Sequence, residues 1–78
     1  MRLTIARVDE VLFEGEAYSA TVPGTAGEMT ILSHHMPLVS TLKQGVIRVR
    51  ELKDSSEKEF SIEKGVLEVT PEGATVIL

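Results

Sequence analysis

The chain has 78 residues, which at this size means one small domain. It contains no cysteine, so a disulfide scaffold and a thiolate–zinc site are excluded, and its formal charge of −4 argues against nucleic-acid and anionic-membrane binding. Hydrophobic residues make up 42% but only Phe13, Tyr18 and Phe60 are aromatic, so the core rests on Val, Ile and Leu.

Read from the start, Met1–Glu10 has no long apolar run and no cleavage pattern, which excludes a signal peptide. No later segment approaches the roughly 20 apolar residues of a membrane span, so a soluble, cytoplasmic-side protein is expected. Period-two alternation then dominates. Leu3 and Ile5 alternate with Arg2 and Thr4 in a first strand. Val11-Leu12-Phe13 forms a second, broken by Gly15, and Tyr18, Ala20 and Val22 alternate with Ser19 and Thr21 in a third. Glu28–Leu32 is a short strand, and Leu38, Ser40 and Leu42 line one face of the next. Ile47 and Val49 point one way, Arg48 and Arg50 the other. Lys53–Lys58 is a polar hairpin tip, Phe60 and Ile62 face inward on the return, and Lys64-Gly65 turns the chain. Leu67 and Val69 alternate with Glu68, Thr70–Gly73 turns again, and Ala74–Leu78 is the last strand. No segment carries helical spacing over three turns. The regular turn signals predict an all-β sandwich or barrel spanning residues 1–78 as a single domain.

The segment Pro23–Leu38, PGTAGEMTILSHHMPL, departs from this plain alternation. Pro23-Gly24 closes a strand, since proline fixes φ and glycine accepts φ > 0. Met36 is biased to extended geometry by Pro37. Met29, Ile31, Leu32, Met36 and Leu38 exceed what a solvated loop needs, so some are expected to be covered by the core or by another protein.

Chemistry is sparse. Ser33, His34 and His35 are adjacent, whereas a catalytic triad is assembled in space and neighbouring strand residues face opposite ways. His34 and His35 lack a third His or Cys, and Glu28 is the only acid near them in sequence, so a metal site has weak support. Gly24-Thr25-Ala26-Gly27 lacks the Gly-Lys-Ser/Thr ending of a phosphate loop and no helix follows it. Arg48 and Arg50 share one strand face, where pairing with Glu59, Glu63 or Glu68 across the hairpin is the plain reading and a partner-facing role the alternative.

The ordered set Gly27-Glu28, Ile31-Leu32, His35, Pro37-Leu38, Leu42-Lys43, Gly45 and Ile47-Arg48 resembles the epsilon subunit of the F-type ATP synthase. Val11–Ala17 upstream, and Phe60, Gly65, Leu67-Glu68-Val69, Pro71 and Val76 downstream, fit the same pattern. The resemblance implies that the chain is the family's N-terminal domain, a flattened β-sandwich of about ten short, mostly antiparallel strands. It implies a non-catalytic rotor subunit at the foot of the central stalk, peripheral to the cytoplasmic face of the bacterial inner membrane (or the stromal face of the thylakoid in a plastid). Its partners are the gamma subunit and the c-ring, with no cofactor, small-molecule substrate, nucleic acid or membrane insertion. By position, Gly27, Glu28, Met29 and Thr30 would face the c-ring, and His35, Met36, Pro37 and Leu38 would face gamma. The family usually has Gly where this chain has His34, and many members have Ser-Gly-Gly where it has Glu63-Lys64-Gly65. Its C-terminal helical hairpin, which regulates ATP hydrolysis in relatives and binds ATP in some, has no counterpart in these residues. A free-standing β-sandwich module for a protein or glycan is the alternative, and a small enzyme or metal protein using His34, His35 and Glu28 a further one.

Overall fold

The computed structural model describes every residue from Met1 to Leu78, and all its regular elements are strands. They run β1 Arg2–Arg7, β2 Glu10–Glu16, β3 Ser19–Gly24, β4 Gly27–Leu32, β5 Leu38–Leu42, β6 Gly45–Arg50, β7 Glu57–Ile62, β8 Gly65–Thr70 and β9 Gly73–Ile77. The alternation marked these nine; the resemblance implied about ten.

The strands form because alternate side chains have somewhere dry to go. Leu3, Ile5, Val22, Ile31, Ile47, Val49, Leu67 and Val76 are fully buried, and their sequence neighbours face water. At about 1.5–3 kcal/mol per fully buried aliphatic side chain, this set dominates the favourable side of folding. Ile62 and Val69 are buried as expected, but Phe60 is only half-buried and Tyr18 is exposed. Tyr18 lies in the link before β3, outside the alternation. Phe60 sits on the edge strand β7, where one flank has no neighbour.

Hydrogen bonding follows the path β2-β1-β9-β8-β5-β3-β6-β7, with β4 paired to β3. All pairs are antiparallel except β1 with β9. The step from β5 to β3 rests on a single register pair, Gly24 with Leu42. There the path folds over into a five-stranded layer, β2-β1-β9-β8-β5, and a four-stranded layer, β4-β3-β6-β7, enclosing one core of 15 buried residues. Closure shows at the far ends of the path: Phe13 of β2 and Phe60 of β7 meet edge to face, ring centroids 6.2 Å apart, with Lys58 Nζ 5.7 Å from the Phe13 ring centre. The arrangement is the expected β-sandwich.

Gly73 is required by this path. Its φ is +147°, and an added Cβ would collide with the Arg2 carbonyl oxygen, because β1 runs parallel to β9 and passes directly over the β8–β9 turn.

Candidate functional site

The segment from Gly24 to Leu38 begins with a two-residue turn, Thr25-Ala26, between β3 and β4. Gly24 and Gly27 are register partners, and a Cβ on Gly24 would stand 2.6 Å from the Gly27 carbonyl oxygen. Gly27 has φ +139°, which a side chain would strain. The turn is tied to β5: Thr25 N donates to Thr41 O at 3.0 Å, the two threonine hydroxyls lie 2.9 Å apart, and Lys43 N donates to Pro23 O at 2.9 Å. Glu28 therefore projects from a rigid base.

β4 is paired only to β3, so it is the edge of the four-stranded layer. Glu28 and Thr30 are exposed on its outer face, with the Thr30 and Thr21 hydroxyls 3.0 Å apart across the strand pair. Met29 points the other way, half-buried and packed on the core. Arg48 Nη1 lies 3.4 Å from Glu28 Oε2, and Arg48 Nε lies 3.7 Å from Glu59 Oε2. Arg50 pairs with Glu57 at 3.4 Å. Of the expected pairings only Arg48 with Glu59 is present; Glu63 and Glu68 take no part in an ion pair with either arginine.

At the other end of β4, Ser33–Pro37 turns the chain over into β5. His34 adopts φ +66°, a left-handed conformation held here by a residue that carries a Cβ, at the position where the resemblance implies a glycine. His35 is half-buried: its N–H donates to Leu32 O at 3.2 Å and its Nδ1 lies 2.8 Å from Met36 O. Met36 is 78% exposed and Pro37 is also exposed, whereas Leu38 is half-buried and packs on the core. Leu32, 45% exposed, continues the apolar surface back along β4. An open cleft of about 410 Å³ separates the corner from the β8–β9 turn, lined by Leu32, Ser33, His34, Pro37, Thr70 and Glu72 among others.

The structure does not bring the two groups of predicted residues together. Glu28 and Leu32 are four residues apart on one strand, about 13 Å at strand rise, in a molecule whose longest dimension is 27 Å. Glu28 and Thr30 mark a charged, polar surface near one end; Met36, Pro37 and Leu32 mark an apolar one at the other. Arg48 is the residue that sequence reasoning underused. Its link to Glu28 crosses β3, between strands that are not consecutive in the chain, and only the outward phase of both residues signals it. No group of three or more His, Cys, Asp or Glu lies together. No helix is long and apolar enough to cross a membrane.

Residues 1–78 match the family model described as ATP synthase, Delta/Epsilon chain, beta-sandwich domain. The ATP synthase epsilon chain of Herminiimonas arsenicoxydans is 34% identical over 77 residues, covering 99% of this chain and 55% of that one. The ATP synthase epsilon chain 2 of Burkholderia orbicola is 35% identical, covering 99% and 51%. This chain thus spans about half the length of the curated relatives it matches. A chain in the cryo-EM structure of the Euglena gracilis mitochondrial ATP synthase, OSCP/F1/c-ring, superposes with TM-score 0.86 at 26% identity over 96% of this chain and 48% of that one. A chain of the Tetrahymena thermophila mitochondrial ATP synthase central stalk and c-ring shares the fold, with TM-score 0.78 at 18% identity over 99% of this chain and 61% of that one.

Proposed function

From the premise that this chain belongs to the ATP synthase delta/epsilon beta-sandwich family, we propose that it is a non-catalytic rotor element of an F-type ATP synthase. It joins the gamma subunit to the c-ring, so that ion flow and ATP chemistry stay coupled. The observation that carries this reading is the match of the family's sandwich domain along all 78 residues. Residues 1–78 act as one rigid sandwich unit. The site of action is peripheral, at the cytoplasmic face of a bacterial inner membrane.

Within this reading Gly27, Glu28, Met29 and Thr30 form the ring-facing group, with Glu28 and Thr30 as its exposed side chains. His35, Met36, Pro37 and Leu38 form the gamma-facing group, with Met36 as its anchor. The separation along β4 supports the division, because a coupling element must touch two partners at once with different surfaces. An exposed methionine beside an exposed proline and the exposed Leu32 suits a packed protein contact, and a fixed carboxylate at a strand edge suits a polar one.

The test is capture of gamma by the chain, alone and together with the c-ring. Retention of both in one complex is expected. Failure to retain gamma under conditions where gamma is folded would remove the stalk assignment.

A further inference from the structure

The outer face of the four-stranded layer is organised in cross-strand rows. Thr21 stands opposite Thr30 of β4 on one side and Arg48 of β6 on the other, and Arg48 stands opposite Glu59 of β7. Glu28 lies in the neighbouring row, opposite Pro23. The backbone of β6 makes no pairing with β4, because β3 runs between them. The Arg48 side chain spans the gap. Its Nη1 reaches Glu28 Oε2 at 3.4 Å and its Nε faces Glu59 Oε2 at 3.7 Å. One guanidinium thus holds two carboxylates from opposite flanks and straps the layer across its width.

Two consequences follow for Glu28. The Arg48 contact is made by Oε2, so the strap leaves Oε1 unused. The trio of one cation and two anions also keeps an excess negative charge, so the strap does not neutralise the site. Glu59 anchors Arg48 from behind, and the tied turn at Thr25 fixes the Glu28 backbone in front.

We propose that Arg48 is the positioning residue for Glu28, holding its carboxylate so that Oε1 accepts a hydrogen bond from an N–H or O–H donor on the ring-side partner. This rests on the reading that Glu28 faces the ring. Lysine cannot replace Arg48, because a single ammonium lacks the fork needed to hold carboxylates on two sides.

The test is a double-mutant cycle in the assembled complex, reading the ratio of proton pumping to ATP hydrolysis in membranes. Arg48→Gln is expected to lower the ratio about two- to fivefold, the range of a partly exposed charge pair. Arg48→Lys should recover little of it, and Arg48→Gln should cause no further loss when Glu28 is already Ala. The triple swap Glu28→Arg, Arg48→Glu and Glu59→Arg, which keeps both pairs with their signs reversed, should keep the melting temperature of the chain yet leave coupling impaired. Additive losses from the two single variants, or full coupling in the swap, would overturn the role of Arg48. If Glu28→Ala alone leaves coupling untouched, it is the ring-facing assignment of Glu28 that fails, and the strap reverts to a structural pair. Retained melting temperatures in each single variant separate all these outcomes from misfolding.

Discussion

The two ends of β4 are built on opposite physical plans. At the Glu28 end, two glycines let the backbone close a tight turn, three hydrogen bonds tie Pro23 and Thr25 to the β5 region, and the exposed side chains are engaged by Arg48 and Thr21. At the Met36 end the chain crosses to β5 through five residues, with His35 N to Leu32 O as the backbone bond that closes the corner. Its surface is apolar, and His34 stands in a left-handed conformation. Rigidity is bought by polar tethers at one end, and at the other the apolar groups are left uncovered. A polar contact needs fixed geometry because hydrogen bonds are directional; an apolar contact tolerates adjustment, and methionine is the side chain best suited to it.

The largest expected effect breaks the tight end. Gly24→Ala places a Cβ 2.6 Å from the Gly27 carbonyl oxygen and 3.0 Å from the Met29 methyl group, so the hairpin must shift. A loss of about 2–3 kcal/mol in urea unfolding is expected, with Glu28 displaced as well. An unchanged midpoint would mean that the turn is not under close constraint.

The next effect separates surface from core at the other end. Met36→Asp should leave the unfolding midpoint unchanged, because the side chain is 78% exposed, yet weaken gamma binding by about tenfold or more, since the charge would be buried against the partner. Leu38→Asp is expected to cost stability as well, because Leu38 packs on the core, so it is the poorer probe. A substitution at Ser55, at the β6–β7 tip, would not serve as a control, because its hydroxyl lies 3.0 Å from Leu52 N and 2.9 Å from Leu52 O and holds the tip together. That tip also lies at the corner's end of the four-stranded layer, since Ser19 is register partner to both Leu32 and Arg50. Glu63→Gln, exposed in the β7–β8 turn and free of ion pairs, is the control expected to change neither quantity. Equal gamma binding by wild type and Met36→Asp would remove the corner from the interface.

A smaller effect tests the tether. Thr41→Val removes the hydroxyl 2.9 Å from Thr25 while keeping the β-branched shape, and about 0.5–1.5 kcal/mol of destabilisation is expected. No loss would show that the backbone bond from Thr25 N is enough.

The sequence disclosed the fold through period two, because each strand buries one face and neither helix spacing nor a second periodicity competes with it. Ile47 and Val49 against Arg48 and Arg50 are the clearest case. The corner was legible too, from Pro37 and from more apolar residues than a solvated turn needs. What stayed hidden depends on which strands are neighbours. Arg48 meets Glu28 only because β3 lies between β4 and β6, and Gly73 matters only because β1 passes over it. Alternation says which way a residue faces and is silent about what lies beside it. Phe60 shows the same limit: its phase points inward, but on the edge strand β7 the ring is only half-buried.

The smallest effect sharpens the account of the corner itself. His34 holds φ +66°, a conformation that costs a residue with a Cβ about 1–2 kcal/mol. Glycine there would remove that cost but lose about 0.5–1 kcal/mol through its greater freedom in the unfolded chain. The balance predicts that His34→Gly raises stability by no more than about 1.5 kcal/mol. The imidazole is exposed and makes no hydrogen bond that the change would remove, so the backbone term stands almost alone. Gamma binding should be unchanged, because Met36 and Pro37 keep their place when the same turn is made by glycine. A destabilised His34→Gly variant would show that the ring packs usefully at the mouth of the cleft beside Glu72, and that the left-handed backbone is held for the side chain's sake.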